Sequence, residues 1–214
     1  MKKRIVFCAI FIQLFAFVGC EPVRFHEPQP ANTSDESSFP NRILGRYRSQ
    51  TDQSVLEIQE KTVIRMTDEQ YLIHKTEFDS AMRQTGDSVR NPYFVSKYEV
   101  FPAGDSFLVH ITATDTLFVF DKYHILRKFK QHYFMNQFVD STGWIVQTLK
   151  MESGKCIISK INSKEEIEKL NEITGNAIDS VPAENYSLTK KQMKTLLKSG
   201  GFREKEVFVK EKSE

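Results

Sequence analysis

The chain has 214 residues, of which 40% are hydrophobic, 12% aromatic and 27% charged. This ordinary globular composition, with only 9 Gly and 7 Pro, excludes collagen-like, coiled-coil and disordered classes, and the length suits one domain with a substantial core. The formal net charge of +2 at pH 7 by itself suggests a mildly basic protein.

Residues 1–19 have the layout of a signal peptide. Three cations at residues 2–4 precede an uncharged run at residues 5–18, which is too short to serve as a permanent spanning helix. Phe17-Val18-Gly19-Cys20 then resembles the lipobox of bacterial lipoproteins, in which a signal peptidase cuts before the cysteine and that cysteine is acylated. The resemblance implies lipidation of Cys20. An ordinary secretory signal with a chance cysteine is the alternative.

Cleavage before Cys20 would change both the charge and the cysteine count. The leader carries three cations and no acid, so the side-chain charge of the mature chain becomes −1. Cys8 leaves with the leader and Cys20 takes the lipid, which leaves Cys156 without an intramolecular disulfide partner. Cys156 lies in an apolar run, which favours a buried thiol over a reactive one. The basic character therefore belongs to the leader, and net charge gives no argument for nucleic acid.

Residues 20–42 are predicted to be the lipidated cysteine followed by a linker. The segment contains four of the seven prolines and many Ser, Thr, Asn and Asp residues, which is typical of an extended tether. At about 3.1 Å per residue, twenty extended residues could hold the body roughly 60 Å from a bilayer. Residues 25–28 could instead pack on the body.

Residues 43–161 are predicted to form a mainly β body. Short apolar runs recur about every ten residues, and several alternate in the manner of half-buried strands, as Phe107, Val109 and Ile111 do. The short connections favour an antiparallel β-meander, flat or curled into a barrel or half-barrel. The predicted strands are 44–49, 54–58, 62–66, 71–75, 97–101, 106–112, 116–120, 124–129, 133–139, 144–151 and 155–161.

Residues 162–214 change to a helical period, which makes the fold class α+β. Each of the two predicted helices begins with a capping box, Ser163 with Glu166 and Thr189 with Gln192. Glycines after each helix supply the stops. The predicted elements are a helix over 164–174, a helix over 190–199 and a possible edge strand over 206–210.

The chain lacks the local motifs that carry common chemistries. It has no Gly-x-Ser-x-Gly elbow, no His-Glu-x-x-His, no Cys-x-x-Cys, no phosphate-binding Gly loop and no EF-hand loop. The five histidines show no metal-ligand spacing. Asp-Ser and Asp-Thr pairs could supply calcium ligands, but their positions at the ends of apolar runs favour turns. The pairs are Asp79-Ser80, Asp87-Ser88, Asp105-Ser106, Asp115-Thr116 and Asp140-Ser141. We therefore predict no catalytic residue, no metal and no cofactor.

Two basic stretches could contact an acidic partner. Residues 122–133 interleave Lys and Arg with aromatic side chains, as a strand that binds a polyanion would, although solvent-facing cations on a half-buried sheet give the same pattern. The second predicted helix has a lysine face that suits anionic lipid head groups, but docking of a helix on a sheet explains it as well. We prefer the structural interpretation for both. The helix lysines are Lys190, Lys191, Lys194 and Lys198.

Several segments together resemble uncharacterised lipoproteins of Bacteroidetes-type bacteria. They are Cys20, residues 25–30 (Phe-His-Glu-Pro-Gln-Pro), residues 39–47 and residues 126–130 (Leu-Arg-Lys-Phe-Lys). This resemblance implies no catalytic residue and no particular ligand. Gly45-x-Tyr47 on a first strand, followed by a meander and a C-terminal helix, is also loosely similar to lipocalins.

The leading hypothesis is a non-enzymatic lipoprotein of the bacterial cell envelope, anchored to the outer membrane through Cys20, that binds an envelope protein or polymer and no nucleic acid. The alternative is a lipocalin-like carrier of a small apolar ligand, with a pocket of about 300 Å³ or more lined by residues such as Val109, Phe118 and Trp144. A hydrolase acting on envelope material is a third hypothesis, and it needs an acid, a base and a nucleophile in one cleft.

Overall fold

A computed structural model describes residues 22–76, 88–91, 94–139, 143–176 and 185–211. Within these residues the predicted fold class, mainly antiparallel β with helices near the C-terminus, is confirmed. The strands are β1 (Arg24–Phe25), β2 (Asp35–Glu36), β3 (Gly45–Ser49), β4 (Val55–Ile58), β5 (Thr62–His74), β6 (Ser88–Asn91), β7 (Phe94–Ala103), β8 (Ser106–Val119), β9 (His124–Phe129), β10 (His132–Phe138), β11 (Trp144–Glu152), β12 (Lys155–Lys160) and β13 (Glu204–Lys210). The helices are α1 (Lys164–Thr174), α2 (Lys190–Lys198) and a 3-10 helix (Asn41–Ile43).

The described strands belong to one open sheet. Twelve of them follow the order β2-β9-β10-β11-β12-β13-β3-β4-β5-β8-β7-β6, and β1 pairs with the start of β11. Neighbours in this order are antiparallel. Because the end strands β2 and β6 do not pair with each other in the described part of the chain, the sheet is not a closed barrel.

The sheet curls around an inner core on its concave side. Phe118 of β8 and His124 of β9 are eight places apart in the strand order, yet their ring centroids are 5.6 Å apart. Phe39 packs edge-on against Phe118 at 5.6 Å and against Tyr133 of β10 at 6.2 Å. Alternate residues of the strands point inward and fill the space. The buried members of this core are Phe39, Ile43, Tyr47, Leu56, Ile58, Val63, Phe118, Leu126, Tyr133, Met135, Leu149, Cys156, Ile158 and Phe208.

A second core covers the convex side of β10 and β11. Phe134 and Val146 point outward from these strands and pack against both helices and the N-terminal segment. The helices begin where the sequence predicts, because both capping boxes form: the Glu166 and Gln192 N–H groups donate to the Ser163 and Thr189 hydroxyls. The other buried members are Val23, Phe25, Ile161, Ile167, Leu170, Tyr186, Leu188, Met193, Leu196 and Phe202.

The predicted tether is wrong for residues 22–42, which lie against the body. Val23, Phe25 and Phe39 are buried, and β1 and β2 join the sheet. The side chain of Asn136 on β10 binds both backbone groups of Gln29, with Gln29 N–H donating to Oδ1 at 2.6 Å and Nδ2 donating to Gln29 C=O at 2.9 Å. Apolar side chains between the prolines, and a buried amide that satisfies the backbone, make this segment part of the fold.

Three strand predictions need correction. Strand β5 is continuous and includes the two predicted strands 62–66 and 71–75. Strand β8 likewise includes the two predicted strands 106–112 and 116–120. The residues between the predicted apolar runs also pair across the ladder, as Asp68 does with Thr112, so pairing overrides local composition. The predicted edge strand is β13, which instead lies between β12 and β3.

Apart from Val63 and Phe118, which belong to the inner core, β5, β8 and β7 form an arm that neither core covers. Four large apolar side chains are exposed on this arm: Tyr71, Leu72, Val95 and Phe101.

Candidate anion-binding groove

The two basic stretches meet on the convex side of the sheet. Lys130 and His132, from the turn between β9 and β10, line an open groove of about 410 Å³ together with Lys194, Leu197 and Lys198 of α2. The sequence indicated both stretches, but only the fold places them side by side.

The groove continues inward into a deeper part of about 170 Å³, with His132 and Leu197 lining both parts. We refer to the two parts together as the basic groove. The remaining lining residues of the deep part are Thr148, Lys150, Glu152, Ile157, Ser159, Gly200, Gly201, Phe202, Arg203 and Lys205.

Strand register explains the sheet side of the groove. His132 pairs with Lys150, which in turn pairs with Ile157, so one row of side chains crosses β10, β11 and β12 on the convex face. The next row contains Thr148 and its partner Ser159, and Ser159 in turn pairs with Lys205 on β13. Neighbouring strands lie about 4.8 Å apart, which places these polar groups close together on the floor of the groove.

The helix side is set by the docking of α2. Met193 and Leu196 are buried in the convex core, and Lys194 and Lys198 lie four residues apart on one face of the helix. Lys190, one turn earlier, instead donates a hydrogen bond to the Asn32 carbonyl at 3.1 Å. Docking therefore orients the helix, as predicted, and it also directs two lysines toward the groove.

The turn after α2 brings a further cation to the deep part. Gly200 has a φ of +85°, and a Cβ on it would lie 2.6 Å from Arg203 Nε. The Arg203 N–H donates to a Glu166 carboxylate oxygen, and Arg203 Nη2 donates to the Ser199 carbonyl at 3.3 Å. Glycine suits this position because its φ lies in the left-handed region, and Arg203 folds back over the turn.

Positive charge dominates the lining. Six cations face one acid, Glu152, whose carboxylate lies 3.1 Å from Lys150 Nζ. No ion pair joins the other five cations to an acid within the described residues. These five are Lys130, Lys194, Lys198, Arg203 and Lys205.

His132 lies where the two parts of the groove join. Its Nδ1 atom is buried and has no hydrogen-bond partner. Burial lowers the pKa of the His132 ring, and the positive charges of Lys150 and Lys205 lower it further, against a smaller opposite effect of Glu152. An anion in the groove would offset these charges and offer an acceptor, so the site is suited to binding a negatively charged group.

Arg127 and Lys128, also in the 122–133 stretch, contact other parts of the fold. Arg127 donates to the Asp35 carboxylate at 2.8 Å and to the carbonyls of Pro28 and Pro30, which holds the N-terminal segment against β9. Lys128 Nζ lies 5.6 Å from the Tyr133 ring centroid.

The cysteines and histidines considered from the sequence have separate locations. Cys20 lies outside the described residues. Cys156 is a fully buried free thiol in the inner core, and burial raises its pKa to about 12. His124 is buried, with Nδ1 2.7 Å from Asp121 Oδ1, and His110 Nε2 lies 2.7 Å from Asp68 Oδ1. In the part of the chain that the structure describes, no group of three His, Cys, Asp or Glu residues is arranged to hold a metal.

The Asp-Ser and Asp-Thr pairs do not form a common site. Asp105 occupies the predicted turn, between β7 and β8. Asp115-Thr116 lies inside β8, so the turn interpretation is wrong for this pair. The pairs at 79–80 and 140–141 lie outside the described residues, as does Asp87.

The three residues expected to line a carrier pocket are separated. Phe118 is part of the inner core, Val109 lies on the arm, and Trp144 packs on the convex side, 5.2 Å from the Phe138 ring centroid. Apolar side chains, five of them aromatic, pack on the concave side among the described residues. The geometry that the carrier hypothesis requires is therefore not formed by these three residues.

Comparison with protein-family models, with curated proteins and with solved structures finds no match to this chain. Among the described residues, no helix is long and apolar enough to span a membrane.

The sequence did not indicate Lys150, Arg203 or Lys205 as members of the groove. Strand alternation could have placed Lys150 on the same face as Thr148, which is a usable signal. The position of Arg203 depends on a glycine turn and a long-range contact, for which the sequence contains no local pattern.

Proposed function

We propose that this chain is a non-enzymatic lipoprotein of the cell envelope, anchored by lipid at Cys20, that binds an acidic envelope polymer in the basic groove. The observation that carries the binding proposal is the concentration of six cations around one acid, in a chain whose mature side-chain charge would be −1. A local field of opposite sign to the net charge raises the concentration of an oppositely charged partner at that surface.

The shape of the groove favours a chain-like partner. The deep part has room for one acidic group, and the open part continues beside Lys130, Lys194 and Lys198. Successive acidic groups of a polymer would occupy both parts. A flat bilayer surface would meet the exposed lysines but would leave the floor of the deep part, with Thr148 and Ser159, without a partner.

The packing of the N-terminal segment limits the distance between the body and the proposed lipid anchor. Val23 is buried against the body, so three residue steps connect it to Cys20. At about 3.5 Å per residue, a lipidated Cys20 would lie within roughly 10 Å of the body. We therefore propose that the domain sits at the membrane surface and not on the 60 Å tether that composition suggested.

The binding test uses the full-length chain purified in detergent, with polyglutamate as a carboxylate probe and inorganic polyphosphate as a phosphate probe. Replacing Lys130, Lys194 and Lys198 together by Gln should weaken binding about tenfold at low salt and reduce its salt dependence, because fewer counterions are released. Titration at several salt concentrations measures both effects.

The matched control replaces three exposed lysines outside the groove, Lys75, Lys155 and Lys164, by Gln. This control has the same net charge as the groove variant and should bind almost as tightly as the wild-type chain. Equal weakening by both variants would show that only bulk charge matters and would overturn the groove proposal. Binding to anionic vesicles that depends on the groove, without binding of either polymer, would also overturn it.

The anchor is tested separately in cells supplied with labelled palmitate. The wild-type chain should incorporate label and Cys20→Ala should not, because the acylated residue is removed. Equal labelling of the two chains would refute the anchor without affecting the groove.

A further inference from the structure

A second cavity lies on the concave side of the sheet, opposite the convex basic groove, and Ser159 lines both. It has a volume of about 160 Å³ and is lined by Arg65 of β5, Asp115 of β8, Gln147 of β11 and Glu206 of β13. Arg65 pairs in register with Leu56, and Glu206 pairs with Ile158, both of which point into the inner core. The side chains of residues that pair across neighbouring strands lie on the same face of the sheet, so this polar cluster borders the apolar core.

Two buried polar atoms in the lining have no hydrogen-bond partner. They are the Nε–H donor of Arg65 and the Oε1 acceptor of Gln147. Buried donors and acceptors are paired in the great majority of cases, so two unpaired atoms on one cavity indicate a group that supplies the missing partners. That group must carry an acceptor for Arg65 and a donor for Gln147.

The charges of the lining balance. Arg65 and Lys160 are cations, and Asp115 and Glu206 are acids. Arg65 Nη2 donates to Glu206 Oε2, and the guanidinium carbon lies 5.9 Å from the Phe208 ring centroid, so the arginine is held in place. Burial raises the pKa of the Asp115 carboxyl, while the charge of Arg65 opposes this effect. A ligand without net charge fits this lining better than the polyanion that suits the basic groove.

We propose that this cavity binds a small zwitterion of the free amino acid class. Its carboxylate accepts from Arg65 Nε–H, and its ammonium group donates to Gln147 Oε1 and to the Asp115 carboxylate. The volume admits small members such as glycine or alanine and is below the range of about 300–1,000 Å³ typical of sites for drug-sized ligands. This inference does not rest on the proposed function, because it uses a different face of the sheet.

The test is calorimetric titration of the full-length chain in detergent with glycine and with L-alanine. Acetate and methylammonium serve as probes that each carry only one of the two charges. The amino acids should bind at least tenfold more tightly than either half-probe, because only the zwitterion supplies both partners. Equal binding of acetate or methylammonium would overturn the proposal, and so would a complete lack of amino acid binding, which would leave the cavity to water.

Gln147→Met tests the acceptor directly, since it keeps the length of the side chain and removes Oε1. Amino acid binding should fall at least tenfold, while the free chain should become no less stable, because an unpaired buried polar atom is lost. Gln70→Met, at an exposed position on β5, is the matched control and should leave binding unchanged. Unchanged binding by Gln147→Met would refute the assignment, and the half-probe comparison on the wild-type chain stands even if this variant fails to fold.

Discussion

Asn136 is the side chain that we expect to hold the N-terminal segment on the sheet. It is completely buried on β10, where Oδ1 accepts from Gln29 N–H at 2.6 Å. Its Nδ2 donates to the carbonyls of Gln29 at 2.9 Å and of Ile125 and Phe134 at 3.1 Å each. The two N–H groups of Nδ2 are shared among these three carbonyls, and Asn136→Leu keeps a similar volume while removing all of these contacts.

The cost of this substitution can be estimated from the bonds that it removes. Oδ1 accepts one hydrogen bond and Nδ2 has two N–H groups, so three hydrogen bonds at about 0.5–1.5 kcal/mol each give roughly 1.5–4.5 kcal/mol of lost stability. If the segment detaches, the backbone of Gln29 regains hydrogen bonds to water, which limits the loss of stability. Detachment also forfeits the burial of Phe25 and its neighbours, which adds to the loss. We therefore expect the free energy of unfolding to fall by about 3 kcal/mol.

Urea denaturation, followed by tryptophan fluorescence, measures this loss. Trp144 is the only tryptophan of the chain and pairs in register with Phe25 of β1, so its emission also reports whether the segment is docked. The control is Asn41→Leu at an exposed asparagine, which should change stability by no more than about 0.5 kcal/mol. Limited proteolysis reports separately whether residues 22–42 stay docked. If Asn136→Leu lowers the free energy of unfolding by less than about 1 kcal/mol and leaves these residues as resistant to protease as in the wild-type chain, the reasoning is refuted.

Two further predictions concern buried titratable groups. The N–H groups of Arg203, Ser163 and Asn162 hold the pKa of Glu166 below its ordinary value of 4.5, against the effect of burial. The stability that ionised Glu166 contributes is therefore complete above about pH 4.5 and is lost as the pH falls through the lower pKa of the folded state. Glu166→Gln should lower the free energy of unfolding by about 1–2 kcal/mol at pH 7 and flatten its pH dependence in urea titrations. Parallel curves of stability against pH for the two chains would contradict this. Because burial raises the pKa of Cys156 to about 12, a thiol reagent at pH 8 should modify it only in urea; modification of the folded chain within minutes would show that the inner core opens.

Local patterns were sufficient for the elements whose cause is local. Both capping boxes lie within four residues of sequence, and both helices begin at the predicted position. Alternation predicted the strands, and their short connections predicted the antiparallel class. The packing of residues 22–42 on the body was not predicted, because their proline-rich composition is typical of linkers. The groups that order the segment, Asn136 and Arg127, lie about a hundred residues away in the chain.

By itself, the sequence determined the mainly antiparallel β class with its C-terminal helices, the buried state of Cys156, and the presence of two basic stretches. Only the tertiary structure decided that β13 lies between β12 and β3, and that Lys130 and His132 face Lys194 and Lys198 across one groove. The physical reason is that helix caps and side-chain alternation are properties of a few consecutive residues. Strand order, helix docking and the clustering of charge arise from contacts between residues that are distant in the chain.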